Sequence, residues 1–284
     1  MINKLCIVGM GLIGGSLARA LKVADAVNHV IAVGRDETHL KRAVELGVAD
    51  SYEMSTTNAV ADADVIVVAV PVGSMKSVFS ELAGNIKSDA VITDVGSVKG
   101  NVVRNAVEVL GDSLSRFVPG HPIAGTEKSG VEASFAELYS GQRVILTPLE
   151  ETAALATQTI TQMWHAAGAE VVSVSVEHHD EVLAATSHLP HVLAYTLVDT
   201  LAQMHEHREI FKFAAGGFKD FTRIASSDPK MWHDICLNNR DSLLDMLTRF
   251  SSDMSKLTKA IEDEDSEFIL KLFTRAKTAR DQNC

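Results

Sequence analysis

The 284-residue sequence is poor in cysteine, in aromatic side chains and in positive charge. Its three cysteines, Cys6, Cys236 and Cys284, are scattered and show no metal-ligand spacing, so we expect no metal site. Their positions do not match a disulfide framework either. We therefore expect a protein of a reducing compartment, the cytoplasm.

Net charge and hydropathy exclude two further kinds of partner. The formal net charge of −11 argues against a nucleic acid, which would need a basic face. No apolar stretch is long enough to span a bilayer, so we expect no membrane partner. The apolar run after Lys4 passes into glycines from Gly9 onward, which makes it part of the fold and not a signal peptide. The length allows one large domain or two ordinary ones.

The segment 5–16 is the first that points to a ligand. A short apolar run, typical of a buried strand, breaks into Gly-x-Gly-x-x-Gly and continues as a helical pattern. The first glycine permits a tight turn, the second lets a pyrophosphate approach the backbone, and the third lets helix and strand pack closely. Free N–H groups at the helix start then face the phosphates. The residues expected to contact a dinucleotide cofactor here are Gly9, Gly11, Leu12, Ile13 and Gly14.

The end of the second predicted strand, 30–33, bears on the choice of cofactor. A carboxylate at this place bonds the ribose 2′-hydroxyl of NAD, whereas an arginine accommodates the 2′-phosphate of NADP. Gly34 stands where the acid is expected and Arg35 follows it. Asp36, one position later, would restore a carboxylate if the register shifted. We expect NADP, with NAD as the alternative, and place Gly34 and Arg35 at the cofactor.

Further strand and helix patterns alternate along the first half of the chain. The run 63–71 is continuously apolar, as a central parallel strand should be, and ends at Val70 and Pro71. Segment 90–100 repeats the order of strand, turn and helix, with Ser97 in its turn. This alternation predicts a doubly wound parallel sheet of the Rossmann type, with ligands at the carboxyl ends of the strands. We therefore expect Val70, Pro71 and Ser97 at the cofactor.

The strand patterns end near residue 176. Further strands are predicted at 143–147 and 170–176, with a helix over 152–167 between them. From there on the pattern is helical throughout. We expect a dinucleotide-binding domain over 1–176 and an all-α domain over 177–284.

Two features organise the predicted helical domain. Pro190 should kink a long helix over 177–204, and Ser227-Asp228-Pro229 is typical of a helix start. The helix that follows carries apolar residues spaced three and four apart, which suits packing within the chain or against a second subunit. These residues are Leu243, Leu247, Phe250, Met254, Leu257 and Ile261.

His121 is the candidate catalytic base. It lies between Pro119 and Pro122 at a predicted strand end, and hydride removal from an alcohol carbon needs a base within reach of the hydroxyl proton. Ser97, on the neighbouring turn, can hold one imidazole nitrogen and fix the tautomer. The alternatives are a structural histidine held by backbone carbonyls and an ordinary turn serine. If His121 is the base, kcat/KM should rise through roughly pH 6–7.

Two histidine-rich segments, 178–180 and 186–191, contain the second group of candidates. Their spacing matches no standard zinc site. The break near Pro190 frees backbone donors, and Ser187 and His191 add side-chain donors, which favours an anion.

Arg223 is the third candidate. It lies in a basic, glycine-containing segment, 211–227, and its guanidinium can clamp a carboxylate with two hydrogen bonds. The alternative is a surface ion pair with Asp220.

Five segments together resemble the prephenate/arogenate (cyclohexadienyl) dehydrogenases: 9–16, 94–99, 120–127, 186–191 and 220–232. They occur in order over nearly the whole chain. The combination of Gly-His-Pro-Ile-Ala-Gly-Thr-Glu, Ser-His-Leu-Pro-His and Thr-Arg-Ile-Ala is specific to that family, whereas the glycine pattern alone is not. No chorismate mutase segment and no regulatory ACT domain is expected in this sequence.

The resemblance implies oxidative decarboxylation of prephenate to 4-hydroxyphenylpyruvate, of arogenate to tyrosine, or of both, with hydride transfer to NAD(P)+. It implies that His121 engages the ring hydroxyl with help from Ser97, and that the helical domain forms a homodimer. It implies a substrate pocket lined or gated by Thr126, Glu127, Ser187, His191, Gly216, Gly217, Asp220, Arg223 and Trp232.

Two alternatives remain at this point. A β-hydroxyacid dehydrogenase or imine reductase would use a catalytic lysine from the helical domain, and Lys212 or Lys219 would have to serve. A non-catalytic dinucleotide sensor would use the helical half for a partner. The combination of Ser97, His121 and Arg223 weighs against the sensor, and a panel of prephenate, arogenate and 3-hydroxyacids would separate the two kinds of oxidoreductase.

Overall fold

The computed structural model describes residues 1–205 and 207–283, so the third cysteine, Cys284, lies outside the described part. The chain divides into two compact units, Met1–Arg240 and Asp241–Cys284. Every residue of the candidate site belongs to the first unit.

The first unit is built on a parallel sheet. Within the described residues its strands follow the order β3-β2-β1-β4-β5-β6, and every neighbouring pair is parallel. The strands are β1 (Ile2–Val8), β2 (Val27–Val33), β3 (Ser51–Glu53), β4 (Val65–Val68), β5 (Val91–Asp94) and β6 (Phe117–Val118). The crossover helices are α1 (Leu12–Val23), α2 (Glu37–Glu45), α3 (Thr56–Val60), α4 (Val72–Leu82) and α5 (Gly100–Val109). The prediction of a doubly wound parallel sheet is confirmed.

The central strands explain why the sequence pattern was so clear. β4 is buried along its whole length, so it carries apolar residues at every position. In β1, Leu5 and Ile7 face one layer of the core while Cys6 and Val8 face the other. The strand order reverses between β1 and β4, and a sheet of this type binds its ligand beyond that point.

A second, smaller sheet carries His121. It contains β7 (Gly120–Pro122), β8 (Arg143–Leu146) and β9 (Glu170–Ser173), and α6 (Ala154–Ala166) connects the last two. The sequence predicts the strands of this region but not that they form a sheet of their own, in which β7 runs antiparallel to β8. Only Pro119 separates β6 from β7, and a parallel neighbour would need a long crossover.

The rest of the first unit is helical. α7 (Val176–Leu183) and α8 (Leu189–Ala202) are joined by a wide π-helical turn at Ala184–His188. Pro190 lies in the first turn of α8, where its missing N–H and its ring are tolerated, so the predicted interruption occurs just before the proline. α9 (His207–Lys212), α10 (Gly216–Thr222), a 3₁₀ turn at Arg223–Ser226 and α11 (Pro229–Asn238) follow.

The single helix predicted to run from Pro229 into the apolar seam is wrong. α11 ends at Asn238, Asn239 leaves the helical region with φ −113° and ψ 38°, and α12 (Arg240–Glu262) begins anew. The amide of Asn239 is buried and donates to the Asp180 carbonyl oxygen at 2.8 Å. An asparagine side chain that bonds elsewhere competes with helix continuation, and this contact explains the break.

The second unit is a pair of helices. α12 is followed by α13 (Ser266–Asn283), with Glu264 in the left-handed region at φ +55° between them. Seam residues Met254 and Ile261 are 45% and 60% exposed. In the described part of the chain, no helix is both long and apolar enough to cross a membrane.

Candidate active site

The glycine turn leaves the backbone open where a phosphate would approach. Gly9 has φ +101°, and a Cβ there would lie 2.4 Å from the Ala69 carbonyl oxygen. A Cβ on Gly14 would lie 2.4 Å from the Gly9 carbonyl oxygen, whereas nothing stands within 4 Å of one on Gly11. α1 begins after Gly11 without a side-chain cap, so its first N–H groups are free for a ligand. These residues fit the pyrophosphate of a dinucleotide.

The carboxylate of Asp36 is committed to capping α2. It accepts hydrogen bonds from the backbone nitrogens of Thr38 and His39 at 2.9 Å and 3.2 Å. Arg35 is exposed and forms no ion pair with any side chain of residues 1–205 and 207–283. The end of β2 therefore offers a guanidinium with no ion pair and a carboxylate whose Oδ1 caps α2.

A buried ion pair positions the strand of the candidate base. Lys99 and Asp94 are both fully buried, and the ammonium of Lys99 donates to Asp94 and to the Gly120 carbonyl oxygen, the latter at 2.6 Å. Asp94 also accepts from the backbone nitrogens of Gly96 and Gly120, at 2.7 Å and 3.1 Å. Both polar backbone groups of Gly120 are thus held, and the next residue is His121.

His121 is buried and bonded to a second histidine. Its Nδ1 lies 2.9 Å from Nε2 of His179, whose Nδ1 lies 2.8 Å from the carboxylate of Asp180. The sequence predicts that Ser97 holds one nitrogen of this imidazole; the nitrogen Nδ1 is held by His179 instead. Ser97 follows β5 on the neighbouring turn, and its backbone lies beside His188 instead.

Burial keeps this group of imidazoles neutral. It lowers the pKa of His121 well below the usual 6.5, and the charge of Lys99 and the proximity of the His179 and His188 imidazoles lower it further. Burial also lowers the pKa of His179, although the carboxylate of Asp180 opposes the shift. The pKa of His188 falls to about 4 for the same reason.

Aromatic and charged groups form the other side of the site. The imidazole of His191 stacks on the Trp232 indole with ring centres 3.6 Å apart, and the His188 ring meets the same indole edge-on. Arg223 lowers the pKa of His191, although burial contributes more, so its charge acts on this stack. Arg223 forms an exposed ion pair with Glu127, and not with Asp220 as the sequence suggested.

The structure brings together some predicted site residues and leaves others apart. Ring contacts join His188 and His191 to Trp232, the charge of Arg223 acts on His191, and Arg223 pairs with Glu127. The hydroxyl of Thr126 instead bonds within its own exposed turn, to the Lys128 nitrogen at 3.2 Å. Gly216, Gly217 and Asp220 are exposed on α10, and a Cβ on either glycine would meet nothing within 4 Å.

Sequence reasoning missed the structural role of His179 and Asp180. It treated 178–180 as an anion-binding or zinc-binding candidate, and it did not connect the segment with His121. A signal was present: His179 lies four residues before Leu183, so both belong to one helix face, and that face is buried. His178 belongs to the exposed face.

The comparisons with known proteins agree with this architecture. Residues 17–173 match the family model described as prephenate dehydrogenase, nucleotide-binding domain, and residues 175–275 match the one described as prephenate dehydrogenase, dimerization domain. The chain belongs to the prephenate dehydrogenase family. It is an NAD(P)-dependent dehydrogenase, and the hydroxyacid dehydrogenase, imine reductase and sensor alternatives are not favoured.

Similar proteins span nearly all of the chain. The cyclohexadienyl dehydrogenase of Zymomonas mobilis is 39% identical over 282 residues, which are 99% of this chain and 96% of that protein. The prephenate dehydrogenase of Bacillus subtilis is 38% identical over 99% of this chain and 76% of its own. The crystal structure of the Aquifex aeolicus prephenate dehydrogenase with hydroxyphenyl propionate and NAD+ has a TM-score of 0.93 and 37% identity, covering 99% and 98% of the two chains.

We expect Lys99→Met to destabilise the protein strongly. It would leave the carboxylate of Asp94 buried without its cation, which costs about 3–5 kcal/mol. The free energy of unfolding in urea measures the effect. Lys76→Met is the matched control, because Lys76 forms an exposed pair with Glu108 that should contribute at most about 1 kcal/mol. Equal losses in the two variants would contradict the structural role of the buried pair.

Proposed function

We propose that this protein oxidatively decarboxylates prephenate, arogenate or both, with NAD(P)+ as the hydride acceptor. The observation that carries the proposal is the buried imidazole of His121, which is held through Nδ1 beside the cofactor-binding edge of the sheet. In the described part of the chain its Nε2 makes no hydrogen bond. A neutral nitrogen with a free lone pair is what a hydroxyl proton requires.

His121 supplies the base for the reaction. When bound at the glycine turn, a nicotinamide dinucleotide would supply the acceptor for the hydride from C4 of the cyclohexadiene ring. As the hydride leaves, Nε2 of His121 takes the C4 hydroxyl proton and the oxygen's electron pair forms a carbonyl. The C1 carboxylate then departs as carbon dioxide, its bonding pair makes the ring aromatic, and His121 returns the proton to the phenol oxygen. Neutral His121 is therefore regenerated in every turnover.

The groups around Trp232 are proposed to bind the substrate carboxylates. Arg223 can form two hydrogen bonds with one carboxylate. Ser187 lies in the π-helical turn before α8, and His191 lies in the first turn of α8. The stack of His191 on Trp232 fixes the imidazole, whose Nδ1 bonds the Ser187 carbonyl oxygen at 2.9 Å. Thr126, Glu127, Gly216, Gly217 and Asp220 remain predicted pocket residues.

Replacing His121 by asparagine should lower kcat. The loss should be about 10²–10⁴-fold, the usual range for a general acid–base group, with little change in KM for prephenate. Initial rates of NAD(P)H formation measure both constants. The exposed neighbour variant His178→Asn is the control and should keep the parental kcat. A near-normal kcat for His121→Asn would remove this residue from the mechanism.

The pH profile should differ from the one expected for an ordinary histidine. His121 must be neutral to accept a proton, and its lowered pKa keeps it neutral well below pH 6.5. The burial of His121 therefore moves the expected rise to lower pH than the range of roughly 6–7 that the sequence predicts. We expect kcat/KM to stay level from about pH 8 down to about pH 6.5 and to fall only in more acidic solution. A titration midpoint near neutrality would contradict the buried, neutral base.

Replacing Arg223 by alanine should mainly raise KM. A carboxylate clamp acts in the ground state and in the transition state alike, so kcat should change little. We expect a KM for prephenate that is higher by about 10- to 100-fold, the value of a hydrogen bond to a charged group. Arg249→Ala, in the second unit, is the control. An unchanged KM would place Arg223 outside the substrate site.

We further propose that Arg35 selects NADP+. Its free guanidinium suits the 2′-phosphate, and the Asp36 carboxylate, where an NAD-binding carboxylate would be sought, is turned to cap α2 through Oδ1. Arg35→Ala should weaken NADP+ binding by about 10- to 100-fold and leave NAD+ binding nearly unchanged. Fluorescence titration of both nucleotides measures this. Arg42→Ala, on the neighbouring helix α2, is the control. Equal loss for the two nucleotides would refute the selection.

Three expectations about domain organisation, assembly and location in the cell also remain proposals. We propose a domain boundary near residue 176, which the junction between the two matched family models supports. We propose a homodimer formed through the C-terminal helices, because residues 175–275 match a dimerization domain and the seam residues Met254 and Ile261 are exposed. The cytoplasmic location stays a prediction from the cysteine pattern.

A further inference from the structure

We propose that the pair His179–Asp180 fixes the tautomer of His121, placing its proton on Nδ1 and its lone pair on Nε2. The two residues act as positioning residues through the 2.9 Å contact between the imidazoles of His121 and His179. This inference rests on the proposed role of His121 as the base. It adds the reason why the nitrogen that faces away from His179 is the basic one.

The chain of protons begins at the carboxylate of Asp180. This carboxylate accepts hydrogen bonds from the backbone nitrogens of Lys99 and Gly100, each at 2.8 Å. These bonds and the one from His179 hold the pKa of Asp180 below its usual value, although burial opposes them. Asp180 is therefore ionised, and an ionised carboxylate can only accept hydrogen bonds. Nδ1 of His179, 2.8 Å away, must carry a proton.

The tautomer of the second imidazole follows from the first. His179 is neutral because burial lowers its pKa, so a proton on Nδ1 leaves a lone pair on Nε2. That lone pair faces Nδ1 of His121, which must therefore donate its own proton. His121 is neutral as well, and its lone pair is left on Nε2. No other arrangement satisfies both contacts with neutral imidazoles and an ionised Asp180.

The surroundings of Asp180 show that the pair is held rigidly. Its carboxylate caps α5, and the side chain of the N-cap residue Lys99 makes no capping hydrogen bond of its own. A Cβ on Gly100 would lie 2.9 Å from one carboxylate oxygen, so the glycine is needed for this approach. Asn239 donates to the Asp180 carbonyl oxygen, which anchors the backbone as well. Asp180 therefore has little freedom to turn away from His179.

The direct test is the nitrogen NMR spectrum of the imidazoles. In protein with ¹⁵N-labelled histidine, at a pH where His121 is neutral, its Nε2 should give the signal of an unprotonated nitrogen and its Nδ1 that of N–H. His121→Asn assigns the signal by its disappearance. A wild-type spectrum in which Nε2 of His121 carries the proton would overturn the proposal, whatever the kinetics show.

Two substitutions of the same residue separate positioning from packing. His179→Leu removes the acceptor, so His121 should lose its single tautomer, and kcat should fall at least about 10-fold with KM little changed. In His179→Gln the amide oxygen can replace Nε2 as acceptor, so most of kcat and the Nδ1–H signal should return. His178→Leu, at the exposed neighbour, is the control for the loss of an imidazole from this helix and should keep the parental kcat.

The outcomes separate this proposal from that of the base itself. A normal kcat in His121→Asn would refute the base, while the nitrogen signals would still report the tautomer. A large loss in His121→Asn, together with an unchanged kcat and tautomer in His179→Leu, would refute the positioning pair alone. If His179→Leu fails to fold, the wild-type spectrum and His179→Gln decide: a lost Nδ1–H signal in His179→Gln would also overturn it.

Discussion

The buried ion pair between Lys99 and Asp94 is the interaction on which the site depends. Two charges without solvent are costly, and this pair is tolerated because each partner makes further hydrogen bonds: Lys99 donates to the Gly120 carbonyl oxygen, and Asp94 accepts from the backbone nitrogens of Gly96 and Gly120. Asp94 is the last residue of β5, and Lys99 immediately precedes α5. The pair therefore links the end of this strand to the start of the helix that follows it. The pair also hydrogen-bonds both backbone groups of Gly120, its carbonyl oxygen through Lys99 and its nitrogen through Asp94. An apolar replacement would fill the space without fixing the direction in which β7 presents His121.

The same cation creates a conflict that Asp180 resolves. The charge of Lys99 lowers the pKa of both His121 and His179, which keeps them in the basic form but opposes the imidazolium that proton transfer creates. A negative group is needed on the far side to stabilise that charge. Asp180 supplies it through His179, and its carboxylate is itself fixed by the backbone of Lys99 and Gly100. The two acidic residues therefore have different tasks in the proposed mechanism: Asp94 balances the charge of the buried lysine, and Asp180 would balance the charge that His121 gains during proton transfer.

The sequence was informative where a structural requirement is local and poor where it is not. The sheet was predictable because β1 and β4 are buried on both faces, and the turn was predictable because Gly9 needs a positive φ that other residues rarely adopt. The partner of His121 lies 58 residues away in the chain, and no periodic pattern joins the two. Ser97 was preferred because consecutive strands end at one edge, a rule that places backbones and not side chains. The break at Asn239 likewise depends on a distant carbonyl oxygen, that of Asp180.

The division between a rigid and an exposed half of the site fits the chemistry it is proposed to perform. Prephenate and arogenate share the ring hydroxyl and the departing carboxylate, and they differ only in a keto or amino group on the side chain. The groups that handle the shared part, His121 and its supports, are buried on strands and helix starts, where geometry is held tightly. Arg223, by contrast, lies on a 3₁₀ turn with its side chain 64% exposed and already paired with Glu127. Exchanging one carboxylate partner for another there costs little, since exposed ion pairs contribute at most about 1 kcal/mol. A site built in this way would hold the reacting groups rigidly in its interior and let its exposed arginine exchange Glu127 for a substrate carboxylate.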